Sequence, residues 1–229
     1  MKINDLLISN PILTGSNKVF HATICDLDNN LIESIYKPKL GEKPLIDFSP
    51  GTLYKREFAA YLVSQTLGWP NIPETLIYEG PHGIGSVQKL VKYKKQENYF
   101  TLLNRFPDDL LKIAIFDIIV NNADRKGGHF LLDYNDILWS IDHGLTFHHI
   151  FKVRTVIFDF EGKKIPKDII NDLIIFLEQL NQRHSISDNI NSFISDIEYQ
   201  ALINRLNILI KNPYVPHLNP YYNVPWPLI

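Results

Sequence analysis

The sequence contains one cysteine, no excess of either charge and no long hydrophobic run, and each absence excludes a class of protein. Cys25 alone cannot build an internal disulfide framework or a cysteine-based zinc site, which fits a reducing compartment. The 23 basic and 25 acidic side chains give a net charge of −2, which argues against a nucleic-acid partner held by bulk electrostatics. No stretch approaches the ~18 apolar residues of a membrane span, and polar residues interrupt the first apolar run. We therefore expect a folded cytoplasmic protein with no nucleic-acid partner and no integral membrane contact.

The first half of the chain alternates β-prone runs with turn residues around one helical run. The predicted elements are strands over 19–25 and 31–37, a helix from Thr52 to about Leu67, and strands over 74–79 and 86–92. Thr52 is expected to cap the helix and Gly68 to end it. The predicted order is therefore β-β-α-β-β.

The second half is mostly helical. The predicted elements are a helix over 107–121, a loop over 122–128, a hairpin over 130–132 and 137–141, and helices over 167–182 and 190–211. The tail 212–229 holds five of the 14 prolines, and it is predicted to be an extended strap, with flexible disorder as the alternative.

The 229 residues, 45% of them hydrophobic, suffice for one domain or one two-lobed domain. We predict a single domain over 1–229, with an N-lobe over about 1–93 and a C-lobe over about 94–229. The fold class is α+β: a compact two-lobed protein-kinase-like layout, with a small antiparallel β-lobe that carries one helix and a helical C-lobe. Layout alone is an analogy, so the function depends on the residues.

Phosphoryl transfer needs a lysine on the nucleotide phosphates, carboxylates on a divalent cation, and a carboxylate that orients the attacking hydroxyl. Lys37 ends the second predicted strand, and Glu57 lies on the following helix, where it can pair with Lys37. Asp124 lies in the loop after the buried helix, with Lys126 two residues further on. Asp142 follows the hairpin in an Asp-His-Gly segment, the place of the metal-binding Asp-x-Gly of kinases.

These stretches resemble the type II phosphatidylinositol 4-kinases and their compact bacterial relatives, within the PI3/PI4-kinase-like group. The matching residues, spread over about 15–150, are Tyr36-Lys37-Pro38-Lys39, Arg56-Glu57-Phe58-Ala59-Ala60-Tyr61-Leu62, Leu67-Gly68, Ile72-Pro73-Glu74-Thr75, Gly85-Ser86-Val87-Gln88, Asp117-Ile118-Ile119-Val120-Asn121-Asn122-Ala123-Asp124-Arg125 and Ile141-Asp142-His143-Gly144-Leu145. They occur in the family's order, and together they are specific.

The resemblance implies an ATP site between two lobes, with Mg²⁺ or Mn²⁺ as the second cofactor. In the nucleotide site, Lys37 would contact the phosphates, Glu57 would anchor Lys37, and Leu90 and Val91 would run along the adenine. Asp124 would face the acceptor hydroxyl, Lys126 the γ-phosphate, and Asp142 and His129 would bind the metal. A reduced phosphate loop would include Ser16 and Asn17. The phosphate loop has only one glycine, and it is a departure from the family pattern.

His129 is the other departure, because the family usually has Asn at this place. A neutral imidazole can bind a divalent cation, but its nitrogen suits Mg²⁺ less well than oxygen does, and at its ordinary pKa acidification through about 6.5 would release the metal. Together with the other histidines up to His149, His129 suggests a zinc site as an alternative. Two observations oppose it: His148 and His149 are adjacent in sequence, and no cysteine is nearby.

Two functions follow from this pattern. The first is an ATP-dependent kinase whose acceptor is an unidentified hydroxyl, on a protein, a small metabolite or a phosphoinositide. A protein or small molecule is favoured over a lipid, since the chain lacks the cysteine-rich stretch of the membrane-held relatives. The alternative is a pseudokinase that binds nucleotide as a regulatory or scaffold module.

Overall fold

Five antiparallel strands form one sheet in the first half of the chain. The computed structural model describes residues 3–12, 17–182 and 189–229. The strands are β1 (Ile3–Ile12), β2 (Val19–Asp26), β3 (Leu31–Pro38), β4 (Thr75–Gly80) and β5 (Gly83–Lys89). Their order across the sheet is β1-β2-β3-β5-β4. The predicted hairpin is confirmed as β2 and β3, and the two later strands are confirmed with β5 beginning at Gly83 instead of Ser86.

Strand β1 is an edge strand that the sequence analysis missed, so the predicted order β-β-α-β-β was wrong by one strand. The alternation of buried and exposed side chains along this strand is short: Leu6 is buried, whereas Leu7 is exposed. Pro11 interrupts the pattern, and the pairing with β2 shifts register between Ile8 and Pro11. A proline is tolerated here because an edge strand pairs on one side only.

Helix α1 (Leu53–Leu67) connects β3 to β4, as predicted, and ends at Gly68, whose φ of 76° is left-handed. The expected cap was wrong, because the side chain of Thr52 makes no capping hydrogen bond. The carboxylate of Glu42 replaces it and accepts the backbone N–H groups of Leu53 and Tyr54 at 3.1 and 2.9 Å. A negative charge at this end of the helix also complements its dipole.

The second half of the chain is mostly helical, with one short hairpin. Its elements are α2 (Tyr99–Leu102), α3 (Pro107–Val120), β6 (Phe130–Leu132), β7 (Leu138–Ser140), α4 (Lys167–Asn181) and α5 (Asp196–Lys211). Helix α3 is buried from Ile113 to Val120, so it is the centre of the main hydrophobic core. Helix α1 contributes Ala59, Ala60 and Val63 to the same core, which therefore joins the helix of the β-lobe to the helical lobe.

Helix α5 begins six positions later than predicted, at Asp196. The reason is local: Ser195 is the N-cap, and its N–H and its hydroxyl both donate to Glu198. Glu198 also forms a buried ion pair with Arg56 on α1, at 2.6 Å between Nη2 and Oε1. Residues 183–188, between the two predicted helices, lie outside the described residues.

The tail 212–229 is a strap, as predicted, although a hydrogen-bonded turn over 219–223 interrupts its extended course. Its backbone is hydrogen-bonded to the rest of the chain. Val215 is buried, its N–H donates to the carbonyl of Lys163, and its carbonyl accepts the N–H of Gly162. Further along the strap, the carbonyl of Asn223 accepts the N–H of Thr155. The boundary between the lobes near residue 93 stays a prediction.

The cap of α1 yields a test of stability. Glu42→Ala should lower the free energy of unfolding by about 1 kcal/mol, because two amides at the start of α1 lose their acceptor. The control is Glu178→Ala, at an exposed position on α4, which should change it by no more than a few tenths. Urea unfolding followed by circular dichroism measures both, and equal losses would contradict the capping role.

Candidate active site

Lys37 and Glu57 meet between the sheet and α1. Lys37 Nζ lies 2.9 Å from Glu57 Oε2, and the Glu57 side chain is only 2% exposed. The other oxygen, Glu57 Oε1, accepts the backbone N–H of His143 at 3.2 Å. One carboxylate on α1 therefore orients the lysine of β3 and also anchors the Asp-His-Gly segment (142–144).

Asp142 contacts the same lysine as Glu57. Its Oδ1 lies 3.3 Å from Lys37 Nζ, and its own backbone is left-handed, with φ of 62°. The charge of Lys37 lowers the pKa of Asp142 well below its usual range, although partial desolvation of the carboxylate acts the other way. For Lys37, burial opposes the charged form, but the carboxylates of Glu57 and Asp142 together raise its pKa. Lys37 and Asp142 are therefore charged at neutral pH.

Asp124 lies in the loop 122–129, which follows the left-handed residue Asn121 at the end of α3. The side-chain oxygen of Asn122 accepts the backbone N–H of Asp124, and the amide nitrogen of Asn122 donates to Asp117 on α3. Asp124 Oδ2 lies 3.0 Å from Lys126 Nζ. Burial raises the pKa of Asp124, against the opposing effect of Lys126. The loop thus holds a carboxylate with raised proton affinity beside an ammonium group.

A buried ion pair, which the sequence analysis did not identify, fixes this loop. Arg125 is fully buried and binds Asp117 through two bonds, Nε to Oδ2 at 2.7 Å and Nη2 to Oδ1 at 2.8 Å. Its Nη1 donates to the carbonyl of Ile141, and its Nη2 lies 2.8 Å from His143 Nε2. Since arginine is only a donor, His143 Nε2 is the acceptor. Arg125 thereby joins the loop of Asp124 to the segment of Asp142.

Arg154 is a second residue whose role the sequence analysis missed. Its N–H donates to the carbonyl of Asn122 at 3.0 Å, and its carbonyl accepts the N–H of Arg125 at 2.9 Å. This pairing sets Arg154 beside Asp124, whose pKa the guanidinium charge lowers in part. Sequence separation hid the contact, because nothing local links residue 154 to residue 124.

His129 faces Asp142, with its Nε2 3.5 Å from Asp142 Oδ2. On the other side of the ring, the backbone N–H of Lys126 donates to Nδ1 at 3.3 Å. A neutral imidazole with an accepting Nδ1 carries its proton on Nε2. In this tautomer Nε2 has no lone pair for a metal ion, so the predicted role of His129 as a ligand requires the other tautomer.

The acidic groups fit a divalent cation that arrives with a nucleotide. Over the described ranges, no group of three or more His, Cys, Asp or Glu side chains is placed to hold a metal ion by itself, which leaves the zinc reading without support. The side chain of Asp142 is 52% exposed, and it offers hard carboxylate oxygen. Mg²⁺ beside nucleotides is usually held by one or two carboxylates together with phosphate oxygens and water. Asp142 fits that requirement.

Most of the predicted site residues share one cleft of about 220 Å³. They are Asn17, Lys37, Glu57, Asp124, Lys126 and Asp142. Ser16 lies outside the described residues, and the side chain of Asn17 accepts the N–H of Lys43. Leu90 and Val91 are not brought into this cleft; they line a separate cavity of about 900 Å³ beside α1 and the β6–β7 hairpin. Their contact with adenine therefore stays a prediction.

Residues 50–206, more than half of the chain, match the family model of phosphatidylinositol 3- and 4-kinases. The chain belongs to this family. Within the curated proteins, the Mycobacterium tuberculosis protein Rv2133c is 32% identical over 260 aligned positions, which cover 97% of this chain and 92% of that protein. The resemblance noted in the sequence is thereby confirmed.

Solved kinase structures share the fold. The Helicobacter pylori proinflammatory kinase CtkA matches with a TM-score of 0.53 at 15% identity, covering 90% of this chain and 91% of CtkA. The Golgi casein kinase with Mn and ADP bound matches with a TM-score of 0.52 at 13% identity, covering 92% of this chain and 72% of that one. At such identities the likeness shows the fold alone, and it confirms the two-lobed, kinase-like α+β class.

The Arg125–Asp117 pair yields a test of stability. Asp117→Asn should lower the free energy of unfolding by about 3–5 kcal/mol, because a fully buried guanidinium loses its counter-charge. Asp108→Asn, at an exposed position on the first turn of the same helix, is the control and should cost no more than about 1 kcal/mol. Denaturant unfolding monitored by tryptophan fluorescence compares them. A cost for Asp117→Asn similar to that of the control would show that the pair does not hold the loop.

The pH behaviour of His129 differs from the expectation drawn from the sequence. Burial lowers its pKa to about 4, even though Asp142 acts to raise it. The folded protein therefore keeps His129 neutral well below pH 6.5, whereas the unfolded chain takes up the proton near its ordinary pKa of about 6.5. Between pH 6.5 and about 4 the unfolded chain is protonated at His129 and the folded protein is not, so the free energy of unfolding decreases as the pH falls through this range.

Proton NMR titration tests this shift, with the His129→Asn spectrum used to assign the ring signal. The folded protein should show no inflection for His129 between pH 5.5 and 8, and the same signal in urea should titrate near pH 6.5. An inflection near pH 6.5 in the folded protein would contradict the burial argument.

Proposed function

We propose that this chain is an ATP-dependent phosphotransferase that moves the γ-phosphate to a hydroxyl group of an acceptor. The observation that carries the proposal is Lys37 held between Glu57 and Asp142, at 2.9 and 3.3 Å, where the sheet faces the Asp-His-Gly segment. An ammonium group fixed by a buried carboxylate can donate to phosphate oxygens without losing its position. Membership of the kinase family and the kinase-like fold support this reading.

Asp124 is the group proposed to orient the acceptor. Its Oδ2 is bonded to Lys126, so Oδ1 is the atom available to accept a hydrogen bond from the acceptor hydroxyl. Burial raises its pKa, which favours uptake of the hydroxyl proton as the phosphoryl group transfers. Lys126 would turn to the γ-phosphate and stabilise the charge that develops there.

Asp142 is the proposed ligand of Mg²⁺ or Mn²⁺, which when bound would neutralise charge on the phosphates. His129 would serve as the second ligand only after its proton moves from Nε2 to Nδ1; in the present tautomer its Nε2–H faces Asp142 Oδ2 at 3.5 Å. Asn17 lines the same cleft and is the proposed phosphate-loop contact of the nucleotide. Leu90 and Val91 remain the proposed adenine contacts.

The acceptor is proposed to be a protein or a small molecule, in preference to a lipid, and the location is proposed to be the cytoplasm. The chain has no cysteine-rich stretch of the kind that holds the lipid-kinase relatives on membranes. Among the helices of the described residues, none has the length and apolar character to cross a bilayer.

Two aspartate substitutions test the roles. Asp142→Asn should weaken Mn²⁺-dependent or Mg²⁺-dependent ATP binding at least about tenfold, because the cation loses a charged ligand. Asp124→Asn should leave ATP binding within about twofold and reduce turnover at least about a hundredfold, the range typical of a positioned base. Isothermal calorimetry and release of ADP measure the two effects.

The matched control is Asp136→Asn, because Asp136 also has a left-handed backbone, with φ of 60°, and lies in the exposed β6–β7 turn. It should leave both quantities unchanged. ATP binding by Asp142→Asn as tight as in the parent would overturn the metal role. Tight metal-dependent binding with no turnover by the parent, tested with protein and small-molecule extracts, would favour the pseudokinase alternative.

A further inference from the structure

The end of the strap contacts the loop that carries Asp124. The backbone N–H of Gly127 donates to the carbonyl of Leu228 at 2.7 Å. Gly127 directly follows Lys126, and it begins the short 3₁₀ turn that ends at His129. The strap therefore bonds the loop between two of its proposed functional side chains.

The strap is anchored before it reaches this point. Asn223 makes two bonds to the segment 153–155: its carbonyl accepts the N–H of Thr155, and its side-chain amide donates to the carbonyl of Val153. Pro225 is buried. Arg154 in the same segment donates its backbone N–H to the carbonyl of Asn122 in the loop. The segment 153–155 is therefore hydrogen-bonded to the strap on one side and to the loop on the other.

Gly127 is fitted to this contact by its lack of a side chain. A Cβ atom at this position would lie 3.1 Å from Phe100 and 3.4 Å from both the Leu228 carbonyl oxygen and the Ile229 side chain. A Cβ atom on the neighbouring Gly128 would have only an ordinary contact, 3.7 Å from Ile229. The two glycines thus differ in the room for a methyl group: on Gly127 it would press on Phe100 and lie against both strap residues, whereas on Gly128 it would only touch Ile229.

We propose that Leu228 is a positioning residue, whose carbonyl holds Gly127 and thereby fixes Lys126 and Asp124 in the geometry needed for transfer to the acceptor. The inference rests on the proposed function for its effect on turnover, whereas the tether between Leu228 and Gly127 is testable without activity. Lys37, Glu57 and Asp142 are the main proposed nucleotide contacts, and among the described residues none of them is hydrogen-bonded to the strap. Since the strap holds only the loop of Lys126 and His129, it should affect the transfer step far more than ATP affinity.

The test compares the full chain with a variant that ends at Pro227, which removes the Leu228 carbonyl and retains the anchor at Asn223. Trp226→Ala is the matched control, because its side chain is 86% exposed on the same strap. Amide exchange of Gly127 by NMR should be at least about tenfold faster in the shortened chain and unchanged in the control. The amide shifts of Asp124 and Lys126 should move as well.

ATP affinity, measured by calorimetry with Mn²⁺, should stay within about twofold in the shortened chain, while kcat falls at least about tenfold at unchanged KM for ATP. If the shortened chain does not fold, two glycine variants replace it. Gly127→Ala should show a smaller fall in kcat at unchanged ATP affinity, and Gly128→Ala should change neither quantity.

Unchanged Gly127 exchange in the shortened chain would overturn the proposal. A parallel loss of ATP affinity and turnover would also overturn it, because the strap would then support the whole fold and not the loop. Absence of turnover in the parent would count against the proposed phosphotransferase, and the exchange and shift measurements would still decide whether Leu228 positions Lys126 and Asp124.

Discussion

The buried pair of Arg125 and Asp117 is the interaction on which the site depends. A charge without exposure to water is costly unless it is paired and fully hydrogen-bonded, and Arg125 meets that condition with a carboxylate, a carbonyl and an imidazole. The partners belong to two separate parts of the chain: α3, and the segment 141–143 that follows the β6–β7 hairpin. The cost of burying one guanidinium is therefore offset only when these two parts and the loop of Arg125 are correctly assembled, and this requirement brings Asp124 and Asp142 to one cleft.

The elements that depend on short-range signals were predictable. Alternating β-prone runs located β2 to β5, and Gly68 marked the end of α1 because a left-handed cap favours glycine. The pairing of Lys37 with Glu57 was anticipated from their order on a strand and the next helix. The structure places these two side chains in contact, and their role in binding phosphate stays a prediction.

Features set by distant residues escaped sequence analysis. The cap of α1 comes from Glu42 in the loop before the helix, where no capping pattern exists. Strand β1 depends on pairing with β2 across a register shift at Pro11. The tautomer of His129 follows from a backbone N–H whose position only the folded loop determines. In each case the deciding partner is not encoded in the local pattern of side chains.

The ion pair between Arg56 and Glu198 has a consequence for how this protein can be controlled. Arg56 precedes Glu57 on α1, and it also donates to the carbonyl of Thr146 at 2.7 Å, so α1 is bonded to the helical lobe at two points beside the carboxylate that pairs with Lys37. A conformational change that rotates this helix outward would separate Arg56 from Glu198 and leave a buried charge without its partner, at a cost of several kcal/mol. At that cost the displaced conformer would make up less than about one molecule in a hundred. A partner that displaced α1 would therefore have to supply at least this free energy through its stronger binding to the displaced conformer.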